Sequence, residues 1–345
     1  MARNEQGFRE ICLRPQMGEK VEHPELVTTI LGSRLSSPVI LAPCGLSQVM
    51  SPNGALSAAR AAKAFGTIST LSTVAGISPS AFVNEPGPRW FQLYAPSRDV
   101  AELLISEARN ARFEALMVTL DTPALGKRER DARNGVHSPL RLDPRSTIRL
   151  GSQVLLKPRW ALQMAKAGIK FGPKSQPEST RDQSAGKKML TMQASPFSWE
   201  DVAWIKDLWA GPLIVKGVMS DSDALRSVDC GADLVVVSNH GGRQLEGVQA
   251  TIKVLPEVVK AVGSKVEVLV DSGVRRGSDV VKAMCLGARG VLIGRPYLYG
   301  LSCGGQDGVS RVLEILRSEM ERTMILMGCR SVSDLGPDWL QDTNQ

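Results

Sequence analysis

Long apolar runs are missing from this chain. No stretch of 18 or more apolar residues occurs, which excludes a membrane-spanning helix of ordinary length. The opening MARNEQGFRE is polar and lacks the apolar centre of a signal peptide. Cysteines are few and scattered: Cys12, Cys44, Cys230, Cys285, Cys303 and Cys329 contain no C-x-x-C pair. That spacing argues against a zinc knuckle, a thioredoxin-like site or a disulfide framework, and it predicts a reducing, cytoplasmic setting. Histidine is scarcer still, with only His23, His137 and His240. No second histidine or acidic cluster stands at ligand spacing from His240, so no metal site is expected. There is no G-x-S-x-G elbow for a serine hydrolase.

What is present is a basic segment inside an otherwise mildly acidic chain. The net charge is +7, yet Thr122 to Ser198 holds 15 Lys/Arg and 5 Asp/Glu, so the remainder is slightly negative. Basicity confined to one segment, with no RNA-binding or zinc-finger pattern, argues against a nucleic-acid partner.

Eight short apolar runs end in polar residues or glycine: 38–45, 67–71, 89–94, 115–121, 212–218, 234–240, 266–273 and 290–295. Continuous apolar runs of this length suit parallel strands covered on both faces. Helix-period segments alternate with them at 53–65, 98–113, 198–209, 221–228, 250–262, 278–286 and 308–327; the third opens SWED, a capping signal. The alternation predicts an α/β protein, a (β/α)8 TIM barrel forming a single domain over 1–345. A doubly wound sheet is the rival, but its dinucleotide form needs a G-x-G-x-x-G in the first βα turn, and none occurs there. After the fourth strand, 122–198 is far longer than an ordinary βα loop and reads as an active-site excursion. Within it, KPRWALQMAKAGIKFG has helical potential.

In such a barrel the carboxyl ends of the strands carry the chemistry. Those ends hold Pro43, Cys44 and Gly45; Ser72; Gln92 and Tyr94; Thr119 and Asp121; Lys216; Ser238 and His240; Asp271 and Gly273; Gly294 and Arg295. A lone histidine at a strand end is more often structural than catalytic, but eight polar ends together outweigh that default. The last two ends, DSGVRRGSD and IGRP, pair glycines with Arg275 and Arg295. Backbone N–H groups freed by glycine and a nearby guanidinium suit a phosphate. The residues point to a phosphate-bearing cofactor, a histidine base, a cation for an anionic substrate and a lysine near the cofactor.

The motifs SNHGGRQL, FQLY, VTLDTP, IVKGV, DSGVRRGSDVVKA and IGRP, in this order from about Gly7 to Leu335, resemble the FMN-dependent 2-hydroxy acid oxidases and dehydrogenases. That family includes glycolate oxidase, mandelate dehydrogenase and bacterial L-lactate dehydrogenase. The resemblance implies an FMN cofactor and oxidation of a lactate-like L-2-hydroxy acid to the 2-keto acid. It implies His240 as base, Asp121 as its partner and Arg243 as the clamp on the substrate carboxylate. Arg128 would be a second arginine there, and Tyr94 a hydrogen-bond partner of the substrate. Lys216 would serve the flavin N1–O2 edge. Ser72, Gln92, Thr119 and Ser238 would serve the ring and ribityl chain together with the loop Pro43–Gly45. Asp271 would meet the ribityl hydroxyls, and Gly273, Arg275, Gly294 and Arg295 the phosphate. It also implies a homo-oligomer, often a tetramer.

Three features depart from the resemblance. The amino-terminal part is shorter by about one helix pair, and with it goes a substrate tyrosine. Val74 stands where glycolate oxidase has tryptophan, and the smaller side chain either opens the pocket or leaves room for the long loop. Gly45 stands where many oxidases have alanine, which favours a quinone or another acceptor over oxygen. The excursion mixes Val154, Leu155, Leu156, Trp160, Leu162, Met164 and Phe171 with basic residues, so 154–171 could rest on anionic lipid. Its alternative is a loop folded over its own site with Trp160 and Leu162 buried. The functional rival is a flavin enzyme acting on a larger hydroxy acid or a peptide-derived amine. That branch loses the signature arginine, whereas Arg243 is present. A non-catalytic FMN-binding barrel is the third reading, and the intact set His240, Asp121, Tyr94 and Arg243 opposes it.

Overall fold

The computed structural model describes residues 1–124, 126, 129, 133, 151, 152, 154, 156–166 and 197–341. Its elements in chain order are α1 (Ala2–Arg9), β1 (Thr28–Ile30), β2 (Ser33–Leu35), β3 (Val39–Leu41), α2 (Ser47–Met50), α3 (Gly54–Phe65), β4 (Ser69–Ser72), β5 (Arg89–Leu93), α4 (Arg98–Asn110) and β6 (Ala115–Thr119). There follow α5 (Pro158–Lys166), α6 (Trp199–Trp209), β7 (Leu213–Val218), α7 (Asp221–Asp229), β8 (Leu234–Val237), α8 (Thr251–Val262), β9 (Glu267–Val270), α9 (Gly277–Cys285), β10 (Gly290–Ile293) and α10 (Arg295–Met327). Strands β3 to β10 close into a parallel barrel, with β10 pairing back onto β3. The protein is a (β/α)8 barrel, and all eight apolar runs of the sequence supply its strands.

A strand sends alternate side chains to opposite faces. Inside the ring lie Ile40, Ile68, Trp90, Met117, Ile214, Val236, Leu269 and Leu292, a sealed inner core. Their neighbours Val39, Leu41, Phe91, Val118, Val215, Val235, Val270 and Ile293 face outward and pack under the helices. Burial on both faces explains why the strands read as continuous apolar runs. The hairpin β1–β2 plugs the amino-terminal end, with Ile30 and Leu35 joining the inner core. It was not foreseen, because three-residue strands leave almost no periodic signal.

Two helices differ from the sequence expectation. Helix α1 was not anticipated, being mostly polar apart from Phe8. Helix α10 begins at Arg295, not at Gly308, and bends at Gly304–Gly305. The sequence periodicity marks only 308–327 of it. Here Gly300 and Gly308 let two helical segments approach: a Cβ on Gly300 would lie 2.3 Å from the Gly308 carbonyl. Helix α6 follows the expected SWED signal. The Ser198 hydroxyl accepts from the Asp201 backbone N–H, and the Asp201 carboxylate accepts from the Ser198 N–H at 2.8 Å.

Removing one half of this reciprocal cap, as in Ser198→Ala, is expected to destabilise the fold by about 1 kcal/mol. A denaturant midpoint that does not move would show the cap to be redundant.

Candidate active site

The inward-facing parity of each strand continues past its last apolar residue, and the next inward positions are polar. On β5 it runs Trp90, Gln92, Tyr94; on β6, Met117, Thr119, Asp121; on β8, Val236, Ser238, His240. The barrel therefore ends in a ring of polar groups at the carboxyl ends. Ser72 donates to Gln92 Oε1 at 2.7 Å, and Gln92 Nε2 donates to Thr119 Oγ1 at 3.0 Å. Across the ring, Lys216 Nζ donates to Ser238 Oγ at 2.7 Å and pairs with Asp271 at 3.2 Å. The pair is almost dry, with the two side chains 5% and 10% exposed. A buried cation of this kind survives only with charge beside it. Burial pulls the Lys216 amine down, but the carboxylates of Asp271 and Asp121 outweigh it and the net direction is up.

His240 Nδ1 stands 3.2 Å from Asp121 Oδ1. Burial raises the Asp121 carboxyl, yet the His240 hydrogen bond and the Lys216 charge reverse this and hold it below its ordinary value. Asp121 Oδ2 has no protein hydrogen-bond partner among the described residues. His240, Gly241 and Gly242 all have left-handed backbones, with φ of 57°, 67° and 69°. A residue with a Cβ pays about 1–2 kcal/mol for that conformation, so glycine follows at once where the turn must continue. The turn is bonded on every amide. His240 N–H donates to Ser238 Oγ, Gly241 N–H to Ser272 Oγ at 2.8 Å, and Gly242 N–H to Asn239 Oδ1 at 3.0 Å.

Arg243 follows the turn, and next to it Gln244 Nε2 donates to the carbonyls of Asp121 and Ala124. Gln244 thus ties the root of the excursion to the His240 loop. Arg295 donates to the Gly241 carbonyl at 3.1 Å, and Arg275 pairs with Glu5 at 2.9 Å. Burial, and then the charges of Arg275 and Arg243, lower the Arg295 guanidinium. Arg295 thus lies within the field of two further guanidiniums, an arrangement that favours an anion beside it. Tyr94 is buried and its backbone N–H donates to Thr73 Oγ1 at 3.1 Å. Burial pushes the Cys44 thiol up to about 11, against the Tyr297 hydrogen bond and the Lys216 charge, which favours the protonated form. Arg128 lies outside the described residues. The strand-end residues of the sequence reading are otherwise brought together at one mouth. Sequence reasoning missed Asn4, Asn239, Gln244 and Ser272, which hold the His240 turn.

A family model described as FMN-dependent dehydrogenase matches residues 1–342. The chain is 39% identical over 346 residues to glycolate oxidase of Spinacia oleracea, covering 98% of this chain and 88% of that one. The chain belongs to the family of FMN-dependent 2-hydroxy acid oxidases and dehydrogenases. It is also 39% identical over 344 residues to pre-mycofactocin synthase of Mycobacterium tuberculosis (strain CDC 1551 / Oshkosh), covering 98% and 85% of the two chains. The crystal structure of (S)-mandelate dehydrogenase, described as a monotopic membrane protein, superposes with a TM-score of 0.91 at 35% identity, over 99% of this chain and 90% of that one.

This family member is an FMN-dependent oxidoreductase, and its residues fit the cofactor. The polar ring and the dry Lys216 cation have donors suited to a flavin ring, and the arginines near Gly273 and Gly294 have donors suited to a phosphate. Among the described residues, no group of His, Cys, Asp or Glu could hold a metal ion.

Gly45 and Val74 are sterically coupled. A Cβ on Gly45 would lie 2.8 Å from Val74 Cγ2. Gly45→Ala alone is therefore expected to lower stability by about 1–3 kcal/mol through overpacking, and adding Val74→Ala should recover most of it. Equal melting temperatures for Gly45→Ala and the parent would show that the loop yields freely.

Proposed function

We propose that the enzyme oxidises a lactate-like L-2-hydroxy acid to the 2-keto acid, with His240 as the base. The observation that carries this reading is the His240–Asp121 pair with Arg243 three residues further on. With Nδ1 turned to the carboxylate, Nε2 is the ring nitrogen left to take the substrate proton. Asp121, held ionised, stabilises the imidazolium that forms. Arg243 clamps the substrate carboxylate, where a planar fork suits two oxygens better than an ammonium does; Arg128 assists it and Tyr94 orients the substrate oxygen. Bound FMN supplies the two-electron acceptor. Ser72, Gln92, Thr119, Ser238 and the Pro43–Gly45 loop hold its ring and chain. Lys216 provides the cation for its N1–O2 edge, Asp271 its ribityl contact, and Gly273, Arg275, Gly294 and Arg295 the phosphate cradle.

For the electrons, Gly45 with Val74 packed against it supports a quinone-like acceptor over oxygen. The similarity to pre-mycofactocin synthase favours a second reading, a larger or amine substrate. Arg243 favours the acid, because a planar guanidinium fork matches the two oxygens of a carboxylate and not an amine.

The test is a visible spectrum followed by anaerobic L-lactate and then air. Flavin absorbance should bleach with L-lactate and return slowly in air. His240→Ala should keep its FMN and slow bleaching by about 10²–10⁴-fold. Flavin that stays oxidised with lactate and with larger 2-hydroxy acids would remove the acid reading.

A peripheral membrane contact is the second proposal. Leu156 and Leu162 are 78% and 56% exposed, beside exposed Lys157 and Lys166. Trp160 is half-buried and donates its indole N–H to the Val49 carbonyl at 3.0 Å, while Leu162 is exposed, so the alternative in which both are buried is not met. No helix among the described residues is long and apolar enough to cross a membrane. Substituting Lys157, Arg159 and Lys166 together should weaken binding to anionic liposomes, by roughly 1 kcal/mol per basic residue. Unchanged binding sinks the idea.

A further inference from the structure

Helix α1 stands outside the barrel's repeating pattern, yet it reaches the His240 turn. Asn4 and Asn239 form a reciprocal amide pair. Asn4 Nδ2 donates to Asn239 Oδ1 at 2.8 Å, and Asn239 Nδ2 donates to Asn4 Oδ1 at 2.8 Å. Both residues are buried, 3% and 7% exposed. Asn239 spends the rest of its amide on the loop itself: Oδ1 also accepts from Gly242 N–H at 3.0 Å, and Nδ2 donates to the Gln249 carbonyl at 3.0 Å. One side chain thus closes the left-handed turn on both sides of His240, and its orientation is set by Asn4. A dry amide pair fixes direction well, since a rotated amide would face donor to donor and acceptor to acceptor. The helix is close on the other flank too. A Cβ on Gly273 would lie 2.7 Å from the Asn4 carbonyl oxygen.

We propose that Asn4 is a positioning residue for the reaction: through Asn239 it holds the strained backbone of His240, and so holds the imidazole at its distance from Asp121. The proposal rests on His240 being the base. The backbone at His240 disfavours its own conformation. Without the amide pair the turn has fewer restraints, and a misplacement of about 1 Å is enough to cost about 100-fold in rate. Substrate binding through Arg243 depends less on this restraint, so the loss falls on kcat more than on KM.

The experiment compares the FMN-loaded parent enzyme with Asn4→Ala, Lys253→Gln and His240→Ala. Lys253 pairs with Glu10 just past the other end of α1, at 3.1 Å, and makes no hydrogen bond or ion pair to the turn among the described contacts. It therefore reports the effect of loosening the helix alone. Expected for Asn4→Ala is a kcat lower by about tenfold or more, KM within about threefold, parent FMN content, and faster backbone hydrogen exchange across 239–242. Lys253→Gln should keep the parent kcat, whatever its melting temperature. An unchanged kcat in Asn4→Ala overturns the proposal. So does an equal loss of kcat in Lys253→Gln, which would make α1 a mere cover. Should Asn4→Ala not fold, Asn4→Ser is read by the same criteria. Full turnover in His240→Ala is a separate failure: it removes the base reading and leaves the amide pair without a reaction to position.

Discussion

Parity along the strands is the constraint on which the rest of this structure depends. A strand that sends Trp90 inward must also send Gln92 and Tyr94 inward, and one that buries Val236 must place Ser238 and His240 on the same side. Closing eight such strands stacks these positions into layers. The lower layers are apolar and exclude water. The top one is polar and faces the mouth. Slipping any strand by one residue would exchange the two faces, putting outward apolar side chains at the mouth and polar ones under the helices.

That same rule explains what could be read from the sequence. Eight apolar runs with polar ends show both the barrel and its polar ring, because strand and ring share one local periodicity. The helix start at Ser198 was legible for the same local reason: its cap partner is only three residues away. The supports of the His240 turn were not legible. Asn4 and Asn239 lie 235 residues apart, and Gln244 meets Asp121 across 123; nothing in either local pattern announces the partner. The first part of α10 was not legible either, because its Gly300 and Gly308 serve close packing between helical segments and leave little apolar periodicity.

Electrostatically the mouth is divided. On one side Lys216 lies in the field of two carboxylates, Asp271 and Asp121, in a nearly dry cluster whose opposite charges hold one another. On the other side Arg295 feels the like charges of Arg275 and Arg243, and Arg275 pairs with Glu5. The first arrangement is rich in carboxylates, the second in guanidiniums. A flavin phosphate and a carboxylate substrate are anions of the size such a cluster takes.

The left-handed turn has a last consequence. Its three amide hydrogens, from His240, Gly241 and Gly242, are all consumed by Ser238, Ser272 and Asn239. Peptide dipoles that in other enzymes would greet an incoming anion are here spent on the turn's own shape. Under the proposed function, capture of a charged substrate at this point would fall to guanidinium groups such as Arg243. Such attraction is long in range and weakens as the Debye length shrinks. The rate of substrate encounter would then be a property of the ionic medium, whereas the geometry of the His240 turn is not.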